Sequence, residues 1–367
     1  MKVDFIDLSE QHNPIRKELD RAISEVIDNS AFIKSQVVAN FEEEFAKYLN
    51  VDYVVSCGNG TDAMEIILKA YDIGSGDEVI VPVMSWISTS EVVATAGAKP
   101  IFVDVSPRTF CIDEDKIEAK ISSKTKAVIP VHLYGHPAAM KSIIAIAKKH
   151  KLKVIEDCAQ AHGAEIGGKK IGSFGDAASF SFFPTKNLGA FGDAGAIVSN
   201  NTDLKTKVRA IANHGQIERH KHVLHGRNSR MDGLQAAVLG VKLKYLDNWL
   251  QKRRELASIY REELQSLGKI VLPTEGKSTS HAYHLYVIKA ENREGLKKFL
   301  SERGVSSMIH YPKALPFQDC YKAEKYSSKD YPIAAELQEK ILSLPFYPGM
   351  SKEKALYVCE QIKNFYS

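Results

Sequence analysis

Apolar residues recur along the first 200 positions in two alternating patterns. Short apolar runs, which are typical of strands in a buried sheet, are separated by stretches with the spacing of amphipathic helices. The apolar runs lie at 53–56, 78–82, 101–105, 127–132, 154–157, 178–182 and 194–198. Helical spacing occurs at 15–26, 41–49, 63–70 and 140–150. This alternation predicts an α/β fold with a largely parallel sheet, whose ligands collect at the carboxyl ends of the strands.

The pattern changes after residue 234. The sequence there predicts a helix through 245–249, a second helix through 256–264, a strand at 283–288, and helices at 294–303 and 352–365. A chain of this length is typical of two domains. We therefore predict a large domain over residues 1–245, which begins with a helical segment, and a smaller C-terminal α/β domain over residues 246–367.

Charge and composition narrow the class of partner. The chain carries 49 Lys and Arg against 45 Asp and Glu, a net charge of +4, and these charges are interspersed. Nothing in this pattern indicates binding to nucleic acid or to a membrane surface. The N-terminus lacks an apolar signal region, and no apolar stretch approaches the roughly 18 residues of a membrane span. We therefore expect a cytoplasmic enzyme that acts on a small molecule.

The five cysteines are an odd number without a close pair, which predicts reduced, buried thiols. They indicate neither a disulfide framework nor a zinc site.

Two nearby segments carry candidate catalytic residues. An apolar strand ends at Asp157, and Lys186 follows in a setting rich in Ser, Phe, Pro and Gly. Each residue alone has an ordinary explanation, because a lysine beside aromatic residues is usually exposed and an Asp after a strand often caps a helix. Together they match what pyridoxal phosphate (PLP) requires. An acid keeps the pyridine nitrogen protonated, and a lysine amine holds the aldehyde as a Schiff base.

The segment 58–62, Gly-Asn-Gly-Thr-Asp, joins a strand to a helix and is a candidate phosphate site. Glycines allow the backbone to approach an anion, and a helix N-terminus offers unpaired N–H groups. On this segment alone, an ordinary turn capped by Thr61 or Asp62 remains open. The segment matches neither the nucleotide-binding P-loop nor the dinucleotide fingerprint, which disfavours an ATPase or a nicotinamide enzyme.

Taken together, 60–63, 156–161, 181–189 and 226–232 resemble sugar-nucleotide aminotransferases of the DegT/StrS type. These enzymes form a branch of the aspartate-aminotransferase superfamily. The resemblance runs from 5–8 to 310–312 and implies the fold of a type I PLP-dependent transferase. Such a fold has a large domain, with a mostly parallel mixed sheet between helices, and a smaller C-terminal α/β domain.

The resemblance also implies roles for individual residues. Lys186 would form the Schiff base, Asp157 would pair with the pyridinium nitrogen, and Gln160 would contact the ring hydroxyl oxygen. Trp86 would stack on the ring, although a tryptophan packed in the core remains an alternative. The phosphate would be held by Gly60, Thr61, Ser181 and, across a homodimer with shared active sites, by Asn228 of the partner subunit.

By the same resemblance, the reaction is transamination, with L-glutamate as amino donor and a nucleotide-linked keto sugar as acceptor. Family members that dehydrate carry His in place of the lysine, so Lys186 favours transamination. The residues after Asn228 look like the branch that aminates C3, which predicts a dTDP- or UDP-linked 3-keto hexose. We expect a 6-deoxy sugar, although the spacing of residues does not reveal the substituent at position 6. The product would be an amino sugar for a surface polysaccharide or a glycosylated metabolite.

Candidate substrate contacts are Arg230, His310 and Tyr311. The segment 310–318 departs from the commoner family form, with Phe317 near the usual place of a His. For Arg230, a surface salt bridge is an equal alternative. The histidine-rich stretch 214–225 could suggest a metal, but the resemblance places it near the substrate and the partner subunit, and we expect no metal.

Three alternatives stay open. The enzyme could act on a 4-keto nucleotide sugar, it could be a PLP dehydratase or lyase, or the chain could be a non-catalytic sensor of PLP or of a sugar nucleotide. The four residues Lys186, Asp157, Gln160 and Ser181 together disfavour the sensor.

Overall fold

The structure is a computed structural model that describes residues 1–276 and 278–367. The helices are α1 (Ser9–His12), α2 (Arg16–Asp28), α3 (Gln36–Leu49), α4 (Gly60–Ala70), α5 (Ser88–Thr95), α6 (Met140–His150), α7 (Thr202–Ala212), α8 (Gly233–Leu243), α9 (Leu246–Leu264), α10 (Arg293–Glu302), α11 (Pro332–Lys340) and α12 (Lys352–Tyr366). The strands of the large sheet are β1 (Tyr53–Cys57), β2 (Glu78–Pro82), β3 (Lys99–Val103), β4 (Thr125–Val128), β5 (Lys153–Asp157), β8 (Ala177–Ser181) and β9 (Gly195–Ser199). The shorter strands are β6 (Glu165–Ile166), β7 (Lys169–Lys170), β10 (Gln216–Glu218), β11 (Lys221–His222), β12 (Ile270–Val271), β13 (Thr279–Ser280), β14 (Tyr286–Ala290) and β15 (Ile341–Leu344).

The large sheet has the order β1-β9-β8-β5-β4-β2-β3. Strand β9 runs antiparallel to both of its neighbours, and the other pairs are parallel. All strands except β9 therefore end at the same edge of the sheet. Helices cover both faces, because strands this apolar must be buried on each side. The predicted fold class, a mostly parallel mixed sheet between helices, is confirmed.

A second, smaller apolar core lies around the antiparallel sheet β12-β14-β15 and the helices α9, α10 and α12. The start of the chain also joins this core, because Val3 is buried in it and pairs with Val305. The smaller α/β unit thus takes a residue from the N-terminus. The boundary after residue 245 stays a prediction.

Two predicted elements lie differently in the structure. The helices expected through 245–249 and 256–264 are one helix, α9, and the break falls earlier, between α8 and α9. The strand expected at 283–288 begins only at Tyr286. Tyr283 has a positive φ of 45°, and Ala282 N–H donates to the Gly135 carbonyl at 2.9 Å, so this stretch turns back towards the large sheet.

Among the described residues, no helix is both long and apolar enough to cross a membrane.

Candidate active site

Lys186 lies on a tight loop that follows β8. Its own N–H donates to the Phe183 carbonyl at 2.8 Å, and Ala190 N–H donates to the Phe182 carbonyl at 2.8 Å. The next residue, Asn187, anchors the loop by donating from Nδ2 to the Ala282 carbonyl at 2.8 Å. Burial lowers the pKa of the Lys186 amine to about 8, and the nearby Asp157 partly opposes that shift. A substantial fraction of this amine is therefore neutral, and nucleophilic, near physiological pH.

Asp157 is the last residue of β5 and is buried at the carboxyl edge of the sheet. Burial raises the pKa of its carboxyl, whereas hydrogen bonds and the Lys186 charge lower it. Thr89 Oγ1 donates to Oδ2 at 2.8 Å, and Ala159 N–H donates to Oδ1 at 3.2 Å. Asp157 and Lys186 form no ion pair in the described part of the chain, yet each shifts the pKa of the other.

Gln160 connects this edge to the C-terminal part of the chain. Its Oε1 accepts a hydrogen bond from Tyr134 N–H at 2.6 Å, and its Nε2 donates to the Tyr311 hydroxyl at 2.9 Å. Tyr134 OH donates to the His310 carbonyl, and His310 Nδ1 lies 2.8 Å from Ser343 Oγ. Burial, followed by the charge of Lys186, lowers the pKa of His310 to about 4. The structure thus brings His310 and Tyr311 beside Lys186 and Gln160.

Helix α4 begins at Gly60, directly after the carboxyl end of β1. Asn59 caps it, because Asn59 Oδ1 accepts the Asp62 N–H at 2.8 Å. The N–H groups of Gly60 and Thr61 have no acceptor among the described residues, so they can bind an anion. Ser181 ends β8 beside them: a Cβ on Gly60 would lie only 2.7 Å from the Ser181 Cβ. Gly60, Thr61 and Ser181 therefore form one cradle.

Trp86 is exposed over 58% of its surface, so it is not a core residue. Its ring lies 5.7 Å from that of Tyr311 at an angle of 51°. The ring remains accessible for stacking on a planar ligand.

His162 is buried near Lys186, and its ring packs against Phe180 and Phe182. Burial, with Lys186 as the next cause, lowers its pKa to about 3, so the ring is neutral.

A buried hydrogen bond between His132 and Glu156 supports the strand that carries Asp157. His132 Nδ1 accepts the Ala138 N–H at 2.9 Å, which leaves Nε2 as the donor to Glu156 at 3.1 Å. Glu156 also accepts backbone N–H groups from Gly172, Phe174 and Gly175. Although these two side chains and Cys158 have ligand atoms within 4.8 Å of one another, the hydrogen bonds already occupy His132 and Glu156. We interpret the cluster as a structural support.

The segment 226–232 does not reach Lys186 within one chain. Ser229 Oγ accepts the Gly58 N–H at 3.0 Å, and Arg227 pairs with Asp62 at 3.0 Å, so the segment packs on the loop before α4. Asn228 is exposed, and its side chain forms no hydrogen bond with the described residues. Its position is compatible with a contact to a second subunit.

Arg230 lines a separate cavity of about 530 Å³ whose walls do not include Lys186. Its Nη1 donates to Asn213 Oδ1 at 3.0 Å, and its buried Nε has no hydrogen-bond partner among the described residues. The expected alternative, a surface salt bridge, is not formed by Arg230 among the described residues. The same cavity is lined by Lys34, Lys205 and Arg209.

The residues at this edge fit PLP by their chemistry. The free N–H groups of the α4 cradle suit a phosphate, Asp157 suits a pyridinium nitrogen, and the Lys186 amine suits an aldehyde. Sequence reasoning missed Thr89 and Tyr134, which orient Asp157 and Gln160. The sequence could have indicated Thr89, since four of the six residues at 85–90, shortly after the end of β2, carry hydroxyl groups.

Comparison with known proteins supports this assignment. The DegT/DnrJ/EryC1/StrS aminotransferase family matches residues 13–363. A "Pleiotropic regulatory protein" of Geobacillus stearothermophilus is 44% identical over 100% of this chain and 99% of its own length. A dTDP-3-amino-3,6-dideoxy-alpha-D-galactopyranose transaminase of Aneurinibacillus thermoaerophilus is 42% identical over 99% of both chains. A UDP-N-acetyl-3-dehydro-alpha-D-glucosamine 3-aminotransferase of Acidithiobacillus ferrooxidans is 40% identical over 99% of this chain and 97% of its own.

Solved structures agree closely in fold. DesV of S. venezuelae has a TM-score of 0.98 at 37% identity, over 100% of this chain and 99% of that one. NtdA of Bacillus subtilis, solved with the bound cofactor PMP, has a TM-score of 0.94 at 34% identity, over 100% of this chain and 85% of that one.

Proposed function

Because the chain belongs to the DegT/DnrJ/EryC1/StrS aminotransferase family and is a PLP-dependent sugar-nucleotide aminotransferase, we propose that it aminates C3 of a nucleotide-linked 3-keto hexose. The amino donor is L-glutamate, and the acceptor is a dTDP- or UDP-linked 6-deoxy sugar. The products are the amino sugar nucleotide and 2-oxoglutarate.

One observation carries the proposed chemistry: the amine of Lys186 has a pKa near 8 and lies beside the buried carboxyl of Asp157. PLP supplies the electron sink that stabilises negative charge at the reacting carbon. Lys186 binds the cofactor aldehyde and, once released, is the base that takes the proton from Cα of the donor. A buried amine with a pKa close to ambient pH suits both tasks.

The surrounding residues hold the cofactor and orient the substrate. Asp157, oriented by Thr89, keeps a positive charge on the ring nitrogen. The cradle of Gly60, Thr61 and Ser181 binds the phosphate. Gln160 contacts the ring hydroxyl, and Trp86 covers one ring face.

His310 and Tyr311 belong to the sugar-binding side of the pocket. Both lie beside Lys186 or Gln160 and come from a separate part of the chain. Burial raises the pKa of Tyr311, so its hydroxyl stays protonated and can donate to a sugar oxygen.

The choice of C3 rests on two supports. The residues 228–232 are similar to those of the branch that aminates C3, and relatives with 42% and 40% identity carry names of enzymes acting at a 3-position. Arg230 of the second subunit is a candidate contact for an anionic group of the donor or the substrate, because its Nε is buried without a partner among the described residues.

A panel of nucleotide sugars tests the substrate. The protein is first converted with glutamate and then offered dTDP- and UDP-linked sugars with the keto group at C3 or at C4. We expect the visible absorbance of the lysine-bound cofactor to return with a 3-keto sugar. Return only with a 4-keto sugar would overturn the assignment of C3 and keep the enzyme class.

A regulatory role is the second candidate, because the relative with 44% identity is named a pleiotropic regulatory protein. A sensor that binds PLP or a sugar nucleotide without catalysis should not consume glutamate. A dehydratase or lyase should release water or another leaving group and leave the glutamate nitrogen in place. Measurement of 2-oxoglutarate separates both from an aminotransferase.

We further propose that the protein is a homodimer in which Asn228 of one subunit contacts the phosphate bound by the other. The support is positional: Asn228 is exposed, and nearby segments expose Ile33, Ile217 and Val223, which are apolar side chains that a subunit interface would bury.

A further inference from the structure

Lys242 is a buried lysine that the proposed chemistry does not use. It lies on α8 with only 1% of its surface exposed, and it forms no ion pair with a carboxylate among the described residues. Removing an amine from water without a carboxylate is costly, so such a residue needs hydrogen bonds to hold it. Burial lowers the pKa of Lys242 to about 7.

The contacts of Lys242 converge on the loop that carries Lys186. Its Nζ donates to the carbonyl of Gly189, three residues after Lys186, and lies 3.0 Å from Nε2 of His12. The Nζ also lies 5.5 Å from the centre of the Phe191 ring, and the His12 ring packs edge-on against that ring at 4.9 Å. The amine thus joins helix α8 and the N-terminal segment to the far side of this loop.

A second residue of α8 supports the same loop. Gln235 Oε1 accepts the Phe191 N–H at 2.9 Å, and Gln235 lies seven residues before Lys242. Residues seven apart share one face of a helix. The loop is tightly folded at Gly189, where a Cβ would lie 2.3 Å from the Pro184 carbonyl oxygen. A small movement at Gly189 therefore displaces the turn that contains Lys186.

We propose that Lys242 is a positioning residue, which with His12 holds the Gly189 carbonyl and thereby fixes the turn that presents the Lys186 amine. The kinetic part of this inference rests on the proposed function, but the structural part does not. Either protonation state of the Lys242 amine can donate to Gly189, since even the neutral amine keeps two N–H groups. The contact therefore does not require a fixed charge.

The test compares Lys242→Met, which keeps the length of the side chain and removes its donors, with two other variants. Lys242→Arg keeps a donor, and Lys244→Met alters an exposed lysine two residues away on the same part of the chain. Hydrogen exchange of the cofactor-free protein is followed in peptides that cover 183–191. This measurement requires no catalysis.

We expect Lys242→Met to exchange at least about tenfold faster in this loop, with the amides of the large sheet unchanged. With PLP bound, kcat should fall about tenfold to a hundredfold while KM for the keto sugar stays the same. Lys242→Arg should recover part of both effects, and Lys244→Met should match the wild type.

Unchanged exchange in 183–191 would overturn the inference, and so would faster exchange spread evenly over the whole chain. If Lys242→Met does not fold, His12→Leu is used instead, because it removes the ring nitrogen that contacts the Lys242 amine. The same faster hydrogen exchange in 183–191 is expected in this variant. An unchanged loop in a folded His12→Leu variant would then refute the role. If the wild-type protein converts no amino donor, the proposed function is overturned. The hydrogen-exchange result would still test the positioning role of Lys242.

Discussion

At the scale of single residues, the site depends on how two buried groups of opposite charge adjust each other. Desolvation shifts Asp157 and Lys186 towards their neutral forms, and the charge on each partly restores the ionised form of the other. Thr89 lowers the pKa of Asp157 by donating a hydrogen bond to its carboxylate. In the proposed roles, the amine would therefore remain reactive while the acid would remain able to hold a charged ring nitrogen.

This balance predicts how the cofactor-free protein captures PLP as pH changes. Only the neutral amine attacks the aldehyde, and Lys186 has a pKa of about 8. The rate of capture, followed by stopped-flow absorbance, should therefore rise up to about pH 8 and level off above it. An exposed lysine, with a pKa of about 10.4, would continue to gain rate well beyond that point.

Asp157→Asn is the matched variant for this measurement. The substitution removes the Asp157 charge, which raises the pKa of Lys186. The midpoint of the pH dependence of PLP capture should therefore move to lower pH. A midpoint near that of a free lysine, or one that is the same in both proteins, would contradict the account.

At the scale of elements, the site is assembled where strands end and helices begin. Strand β5 ends in Asp157, β8 ends in Ser181, and β1 leads directly into the N-terminus of α4. Parallel strands place these ends on one edge, and the free N–H groups of α4 face the same edge. The position of the site thus follows from the topology of the sheet.

The cap of α4 provides a prediction with an internal control. Asn59 caps α4 and Asn201 caps α7, each by accepting a backbone N–H at 2.8 Å. Changing either residue to Ala should lower the free energy of unfolding by about 1 kcal/mol in denaturant titrations. Only Asn59→Ala should also weaken PLP binding, because α7 lies outside the cradle. Equal PLP affinity in the two variants would argue against a phosphate at α4.

The same scale shows what the sequence could predict. The seven strands of the large sheet were predictable within a few residues, because strands buried on both faces read as continuous apolar runs. Strand β15 was not predicted, since it is only four residues long, three of them apolar, and it directly follows helix α11, so that the two patterns merge. The strand expected from residue 283 starts later because Ala282 is bound to Gly135, a contact between distant parts of the chain.

Within the site, local motifs indicated Lys186, Asp157 and the α4 cradle. The bonds from Thr89 to Asp157 and from Gln160 to Tyr311 join residues 68 and 151 positions apart, and no spacing pattern reveals such contacts. The roles of the individual site residues stay predictions.

At the scale of the whole molecule, one chain does not bring Asn228 or Arg230 to its own Lys186. Both residues lie on a segment that packs on the loop before α4 and leaves Asn228 exposed. A twofold dimer would place such a segment against the same segment of the partner, close to both cradles. In the proposed dimer, the complete site would include residues of both chains.

Complementation tests this arrangement. Lys186→Ala and Asn228→Ala should each be nearly inactive as pure dimers. Co-expressed in equal amounts, they should form mixed dimers with one intact site, which restores about a quarter of all sites. Lys186→Ala co-expressed with Asp157→Asn is the matched control. Both residues come from the same subunit in any one site, so every site of a mixed dimer carries one substitution and no recovery of activity is expected. Full activity of a monomer, or no recovery in the first pair, would refute the shared site.

The most direct test of the central claim is a single half reaction without sugar. The PLP-loaded protein is mixed with L-glutamate while the visible absorbance of the lysine-bound cofactor and the amount of 2-oxoglutarate are recorded. We predict that the absorbance is lost and that about one 2-oxoglutarate forms per subunit, as a ping-pong reaction requires, with neither change in Lys186→Ala. An unchanged spectrum and no 2-oxoglutarate would contradict the assignment of this chain as a glutamate-dependent aminotransferase.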